Sequence, residues 1–251
     1  MTAVDILKQS LNFYGRVFNK VFWLSVASSI MPLLMVAFVG GGQPSILGML
    51  LVMVLSMFFS IYMLVFVHQF SKDQDDSLAA GFQLTLKKFF PVILTSMVFG
   101  LVTMLSMIPG AIVGSVLASG IQDEQLQAGL IAIIAMIPMS FFLYRCFFAI
   151  YFTLTDGTSP IDALKASNQL TKKNKLIFRG FMLLTFIMLA YFVLLVLVGQ
   201  MIAFGTMAIA ILEFALQVIV MPLFTIFIYR MYEVAKEQYA TKSKNGDIDS
   251  E

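Results

Sequence analysis

Six apolar runs restrict this chain more than any other feature, because each is close to or beyond the roughly 20 residues a helix needs to cross a bilayer. They lie near residues 21–39, 46–70, 90–117, 130–155, 176–198 and 206–229. With 60% hydrophobic residues, 12% charged residues and a mean hydropathy of +0.92, the chain carries more apolar surface than a soluble domain can bury. The expected class is therefore an all-α membrane protein with six transmembrane helices. The third and fourth runs exceed the length of an upright span and are expected to tilt or bend. Pro109, with Gly110 and Gly114 behind it, marks the expected bend in the third; Pro32, Pro138 and Pro222 interrupt other runs.

The connections between the runs alternate in charge. Residues 40–45, 119–129 and 199–205 hold no Lys or Arg, and their only charges are Asp123 and Glu124. The N-terminal segment, the two long connections and the tail carry Lys8, Arg16, Lys72, Lys87, Lys88, Lys165, Lys172, Lys173, Lys175, Lys236, Lys242 and Lys244. Lys and Arg accumulate on the cytoplasmic side of membrane proteins, which puts both termini in the cytoplasm. An even number of spans puts both termini on one side, in agreement with this. No short apolar core with a small-residue cleavage site opens the chain, so no removed signal peptide is expected.

One polar stretch stands out in this apolar background: SPIDALKASNQLTKKNK, residues 159–175. On a helical wheel Ala163, Leu164, Ala166, Ser167, Leu170 and Thr171 share one side, and Asp162, Lys165, Asn168, Gln169, Lys172 and Lys175 the other. Ser159 is a good N-cap, Pro160 suits the first turn, and Asp162 completes a capping box. A short helix with Lys on its polar face and a modest apolar face is expected to lie in the membrane interface.

Weaker copies occur at residues 2–16, capped by Thr2 with Asp5, and at 73–87, capped by Asp73 with Asp76. Aligned on these caps, Leu7, Leu78 and Leu164 coincide, as do Ser10, Gly81 and Ser167, then Asn12, Gln83 and Gln169. Phe13, Leu84 and Leu170 follow, then Arg16, Lys87 and Lys173. The chain reads as one polytopic membrane domain, 1–240, built from three parallel repeats near 2–72, 73–158 and 159–240. Each repeat would be a cytoplasmic interfacial amphipathic helix followed by a two-span hairpin, and residues 241–251 are expected to form a disordered cytoplasmic tail.

The run DGTSPIDALKASNQLTKKN, from Asp156 to Asn174, resembles the A-L-x-x-S-x-x-L-T-x-x-N segment of the YciC-like family of bacterial inner-membrane proteins. Ala163, Leu164, Ser167, Leu170, Thr171 and Asn174 match it. The closing FIYRMYEVAKEQ, residues 227–238, and the six-span layout are similar to that family as well. A related segment occurs in the membrane domain attached to some glycerophosphodiester phosphodiesterases, but the soluble phosphodiesterase domain has no counterpart here. Many relatives carry a proline where this chain has Ile150-Tyr151. The resemblance implies a multi-pass protein of the bacterial inner (plasma) membrane.

Charges inside a span are costly and therefore informative. Arg145 is expected about 15 Å from the cytoplasmic end of the fourth span, and Glu213 about 10 Å from the outer end of the sixth, at 1.5 Å per residue. At those depths the two could form an intramembrane ion pair or a coupling site, with Gln217 one turn beyond Glu213. Lys8, Arg16, Lys87, Lys88, Lys165, Lys172, Lys173 and Lys175 are the candidate interfacial lipid-binding residues. His68 stands alone at the inner end of the second span. The stripe Met49, Met53, Met57 has no His or Cys beside it, so it reads as packing rather than a copper relay. No metal site and no cofactor are expected, and the single Cys146 excludes a disulfide framework.

No phosphate loop, HExxH motif or nucleophile elbow is present, so no enzyme activity is expected. A net charge of +2 gives no reason to expect nucleic-acid binding. The expected function is non-catalytic organisation of lipids or partner proteins at the cytoplasmic face, with anionic headgroups and a membrane-protein partner as the ligands. The competing expectation is a transporter or lipid-translocating permease that uses Arg145 and Glu213.

Overall fold

The computed structural model describes residues 2–39, 46–72, 77–172, 174–201 and 206–244, and every regular element among them is a helix. In chain order these are α1 (Ala3–Val39), α2 (Ile46–Ser71), α3 (Leu78–Ala118), α4 (Glu124–Cys146), α5 (Ala149–Asp156), α6 (Pro160–Thr171), α7 (Lys175–Met201) and α8 (Thr206–Lys244). Among the described residues four stretches are long and apolar enough to cross a membrane: α2, α3, the α4–α5 pair over Glu124–Asp156, and Phe214–Thr241 within α8. Taking the broken pair α6 and α7 as one span gives five. The first expected span falls in α1, where the side chains of residues 31–39 lie outside the described set.

Of the three polar stretches expected to form separate interfacial helices, only the third is a helix of its own. The first is the opening of α1 and the second the opening of α3, each continuous with the apolar run behind it. At 1.5 Å per residue, α1 with 37 residues and α3 with 41 are about 55 and 60 Å long. A hydrocarbon core of about 30 Å accounts for half of that. Their polar opening turns are therefore the first turns of helices longer than one span requires. Pro91 and Pro109 sit inside α3 and do not end it.

The caps explain where these helices begin. Thr2 Oγ1 accepts from the Asp5 N–H at 3.2 Å, while Asp5 Oδ2 accepts from the Thr2 N–H and hydroxyl at 2.8 Å each. Ser159 repeats the arrangement with Asp162. The second cap expected, Asp73 with Asp76, lies outside the described residues. The described start of α3 is capped by Ser77, whose Oγ accepts from the Ala80 N–H at 3.2 Å. Counted from Thr2, Ser77 and Ser159, the residues four on are Ile6, Gly81 and Ala163, all buried. The residues eight on are Ser10, Thr85 and Ser167, each with no exposed surface.

The chain divides into two compact units, one of Met1–Phe89 with Lys175–Glu251 and one of Phe90–Asn174. In the first, α1 packs along α8 and α2. Among the described residues its core is concentrated at one end of these helices. Leu47 and Leu51 of α2 are 80% and 60% exposed, whereas Val65, Phe66 and Val67 are fully buried. Ile6, Val17 and Val21 of α1 and Ile226, Met231 and Ala235 of α8 complete that core. Gly180 of α7 lies so close to Met231 that a methyl group there would run into its sulfur.

In the second unit α3 and α4 approach through Gly110 and Gly114. A Cβ on Gly110 would stand 2.7 Å from the Ala135 Cα, and one on Gly114 would stand 3.0 Å from the Ile131 Cα. Small residues four apart let two backbones meet in an apolar setting where water supplies no driving force. At the other end, Thr95 of α3 and Thr153 of α5 share a hydrogen bond of 2.9 Å between fully buried hydroxyls.

Candidate functional site

Among the described residues two polar constellations occur, one in each unit. The first surrounds the break between α4 and α5. Asp123 caps α4, its carboxylate accepting from the Gln125 and Leu126 N–H groups at 2.9 and 3.1 Å. The helix then runs without interruption to Cys146, and Phe147 and Phe148 interrupt the ladder before α5 starts at Ala149. The break comes just before Ile150-Tyr151, and no Pro or Gly lies within it.

What holds the break open is α6. Gly157, in the left-handed region at φ 68°, ends α5 and returns its N–H to the Thr153 carbonyl; Ser159 and Pro160 then start α6. A side chain at Gly157 would be strained, so glycine is what allows so tight a reversal. The buried face of α6, made by Ala163, Ser167, Leu170 and Thr171, packs back on α5 and α4. Ser167 Oγ accepts from the Phe148 N–H at 3.0 Å and donates to the Arg145 carbonyl at 3.0 Å. Thr171 Oγ1 also reaches that carbonyl, at 3.1 Å, and Tyr144 Oη donates to the Thr171 carbonyl at 2.9 Å. Backbone groups released by a broken helix must be satisfied inside the protein. Here two hydroxyls one turn apart do this.

Arg145 itself is half-buried, with its guanidinium 5.2 Å from the centre of the Phe141 ring. Its Nη1 is buried and has no hydrogen-bond partner. No carboxylate pairs with Arg145 among the described residues. The side chain of Glu213, the expected partner, lies outside the described set, and Gln217 is half-buried on α8. Arg145 lies in the last turn of α4. It follows Asp123 by 22 residues, about 33 Å along a helix, so α4 alone is close to the length of a crossing of about 30 Å. Taken with α5, as one apolar stretch over Glu124–Asp156, the crossing runs on beyond Arg145.

The second constellation is centred on Glu233 of α8, whose side chain is 11% exposed. Its carboxylate accepts from Tyr229 Oη at 2.9 Å and Ser71 Oγ at 3.0 Å, and pairs with Lys72 at 2.9 Å and Arg230 at 3.1 Å. His68 Nδ1 is 2.7 Å from Tyr229 Oη. Because the one Tyr229 proton goes to Glu233, the proton in the His68 contact must come from Nδ1, which assigns the tautomer by its network. Arg230 lies 5.0 Å from the ring centre of Phe13. The result ties the end of α2 to α8, and it gives His68 a structural partner in place of the solitary interfacial role expected of it.

Sequence reasoning passed over Glu233, Lys72, Tyr229 and Arg230. A signal existed: in FIYRMYEVAKEQ, Tyr229, Arg230, Glu233 and Lys236 recur at the three- and four-residue spacings of one helix face. The pattern carries no information about residues 68–72, on which that face closes.

Lys8, Arg16, Lys87, Lys165, Lys172 and Lys175 are exposed, and Lys88 is half-buried. Lys173 lies outside the described residues. Lys165 stands 3.9 Å from Asp162 with both side chains largely in solvent, a loose pair worth little. Among the described residues no group of three or more His, Cys, Asp or Glu could hold a metal ion. Comparison with protein-family models, curated proteins and solved structures gave no match to this chain.

Proposed function

We propose that this is a non-catalytic, multi-span protein of the YciC-like type, set in a bacterial inner membrane with both termini in the cytoplasm, where it organises anionic lipid headgroups. The observation that carries this reading is the two-sidedness of its basic segments. Ile6, Ser10, Phe13 and Val17 of α1 are buried, while Lys8 and Arg16 on the same turns are exposed. On α6, Ala163, Ser167 and Leu170 are buried, while Lys165 is exposed. Protein packing thus consumes the apolar side and leaves the cations outward. Near an anionic leaflet each such residue contributes up to about 1 kcal/mol.

The three-repeat organisation belongs to the same reading. It is supported by the caps at Thr2, Ser77 and Ser159 with buried residues at four and eight positions beyond each. The second repeat then takes its register from Ser77, four residues later than the sequence pattern placed it. Six spans and a cytoplasmic position for the basic ends follow from the charge asymmetry of the connections.

The test is mass spectrometry of the protein extracted from its own membrane in a mild polymer. A variant with Lys8, Arg16, Lys87 and Lys165 all changed to Gln should lose most of the wild-type enrichment in anionic lipid. An unchanged lipid complement would sink the reading. A stoichiometric protein lost with the same substitutions would make the basic face a docking surface for that partner instead.

A further inference from the structure

Buried guanidinium N–H groups are costly to leave unpaired, since the lost hydration is not replaced. Arg145 Nη1 is in that condition. The rest of Arg145 is firmly placed: Ser167 and Thr171 hold its carbonyl, Tyr144 anchors the end of α6 beside it, and the Phe141 ring lies under the guanidinium. The Phe141 ring places the guanidinium, and no described group answers its donor at Nη1.

Its surroundings indicate what does. Thr171, bonded to the Arg145 carbonyl, is followed directly by exposed Lys172, so Arg145 and a solvent-facing lysine meet at the same end of α4. Measured from Asp123, that end coincides with the far boundary of a bilayer core about 30 Å thick. The groups at such a boundary are the phosphates of lipid headgroups. A planar guanidinium offers paired donors that match phosphate oxygens, and it is less strongly hydrated than an ammonium group.

We infer that Arg145 is a specific phosphate-binding residue, and that the phosphate is supplied by one phospholipid seated at the α4–α6 junction, with Lys172 at its rim. This deepens the lipid-organising reading by naming one retained site, distinct from the diffuse attraction of the exposed lysines. It also accounts for the helix break. An unbroken helix would accept a backbone N–H at the Arg145 carbonyl, and the hydroxyls of α6 would have nothing to dock on.

The experiment uses the full chain, stripped of loosely held lipid in detergent, as wild type, Arg145→Gln, Arg145→Lys and the four-residue variant of exposed cations. Native mass spectrometry counts retained phospholipid, and thermal unfolding is followed against added phosphatidylglycerol or against inorganic phosphate. Wild type and the four-residue variant should keep a phospholipid that Arg145→Gln loses. The half-saturating phosphatidylglycerol concentration should rise about tenfold or more in Arg145→Gln, the loss expected for a charge-assisted hydrogen bond. If Arg145→Gln does not fold, Arg145→Lys serves as the test, since it keeps the charge and loses the fork; it too should bind more weakly. Undiminished lipid retention in both Arg145 variants overturns the inference. So does inorganic phosphate matching the lipid's full stabilisation, which would assign the site to a free anion. Loss of anionic enrichment in the four-residue variant with Arg145 binding intact separates the two readings.

Discussion

Ser167 Oγ donates to the Arg145 carbonyl oxygen across 22 residues of sequence, at 3.0 Å, and with its other side accepts the Phe148 N–H. One hydroxyl thus serves as both the missing donor and the missing acceptor of an interrupted helix. Ser167→Ala removes the hydroxyl that accepts the buried Phe148 N–H, at an expected cost of about 1–3 kcal/mol. Thr171→Val should cost less, because Ser167 still reaches the shared carbonyl. Hydrogen exchange checks the assignment: the Phe148 amide should exchange faster in Ser167→Ala and change little in Thr171→Val. Unaltered exchange at Phe148 in Ser167→Ala would remove the bridging role.

The network on Glu233 makes a second prediction. Glu233→Ala leaves Tyr229, Ser71, Lys72 and Arg230 without their common acceptor. Breaking a buried pair costs about 3–5 kcal/mol, and partial exposure of Lys72 and Arg230 reduces this to about 2 kcal/mol. At His68 the donor is Nδ1, so Asn, whose amide nitrogen can take its place, should be nearly neutral. His68→Phe should cost about 1 kcal/mol by removing that donor. Unfolding in detergent measures all three. Equal loss in His68→Asn and His68→Phe would mean that the Tyr229 contact is not the one that matters.

Local chemistry was readable from the sequence, and partnership between distant segments was not. Thr2 with Asp5, and Ser159 with Pro160 and Asp162, cap helices as expected because every group involved lies within one turn. The buried face of α6 was readable for the same reason. By contrast, nothing in the residues Tyr144 to Ala149 announces a helix break, since all are compatible with an uninterrupted helix. The clue sat twenty residues later, as two hydroxyls on the otherwise apolar side of α6. Glu233 was passed over because its partners lie some 160 residues earlier, where Lys72 looked like one more cation of the membrane boundary. The expected cap at Asp73 lies outside the described residues, and Ser77, an equally plausible cap four residues on, closes the described start of α3.

The first cap yields a pH-dependent prediction. Hydrogen bonds from the Thr2 backbone and hydroxyl hold the Asp5 carboxyl below its ordinary value. A lowered carboxylate stabilises the folded form fully above the unfolded-state value and loses that contribution as pH falls through the folded-state value. The first turn of α1 should therefore fray on acidification below the usual carboxylate range, near pH 4. In Thr2→Ala the Asp5 carboxyl should return toward its ordinary value, and the fraying should begin at higher pH. Amide exchange over residues 3–6, followed from pH 6 to pH 3, reads this directly. No shift of the transition in Thr2→Ala would show that the capping box is not formed in solution.

Two helical glycines with opposite surroundings give the last test. Gly110 faces Ala135 across the α3–α4 contact, where an added Cβ would come within 2.7 Å of a backbone carbon and 2.8 Å of the Ile134 carbonyl oxygen. Neither atom is the end of a flexible side chain, so the helices themselves must part. Gly110→Ala should destabilise the protein by about 1–3 kcal/mol, as overpacking does elsewhere. Gly15 of α1 has nothing within 4 Å of the same construction. Gly15→Ala should instead stabilise by about 0.5–1 kcal/mol, because alanine loses less backbone freedom on entering a helix. The sign difference is the informative quantity, since both changes add one methyl group to an apolar helical protein. If both variants shifted thermal unfolding in the same direction, the close approach of α3 and α4 at Gly110 would be wrong.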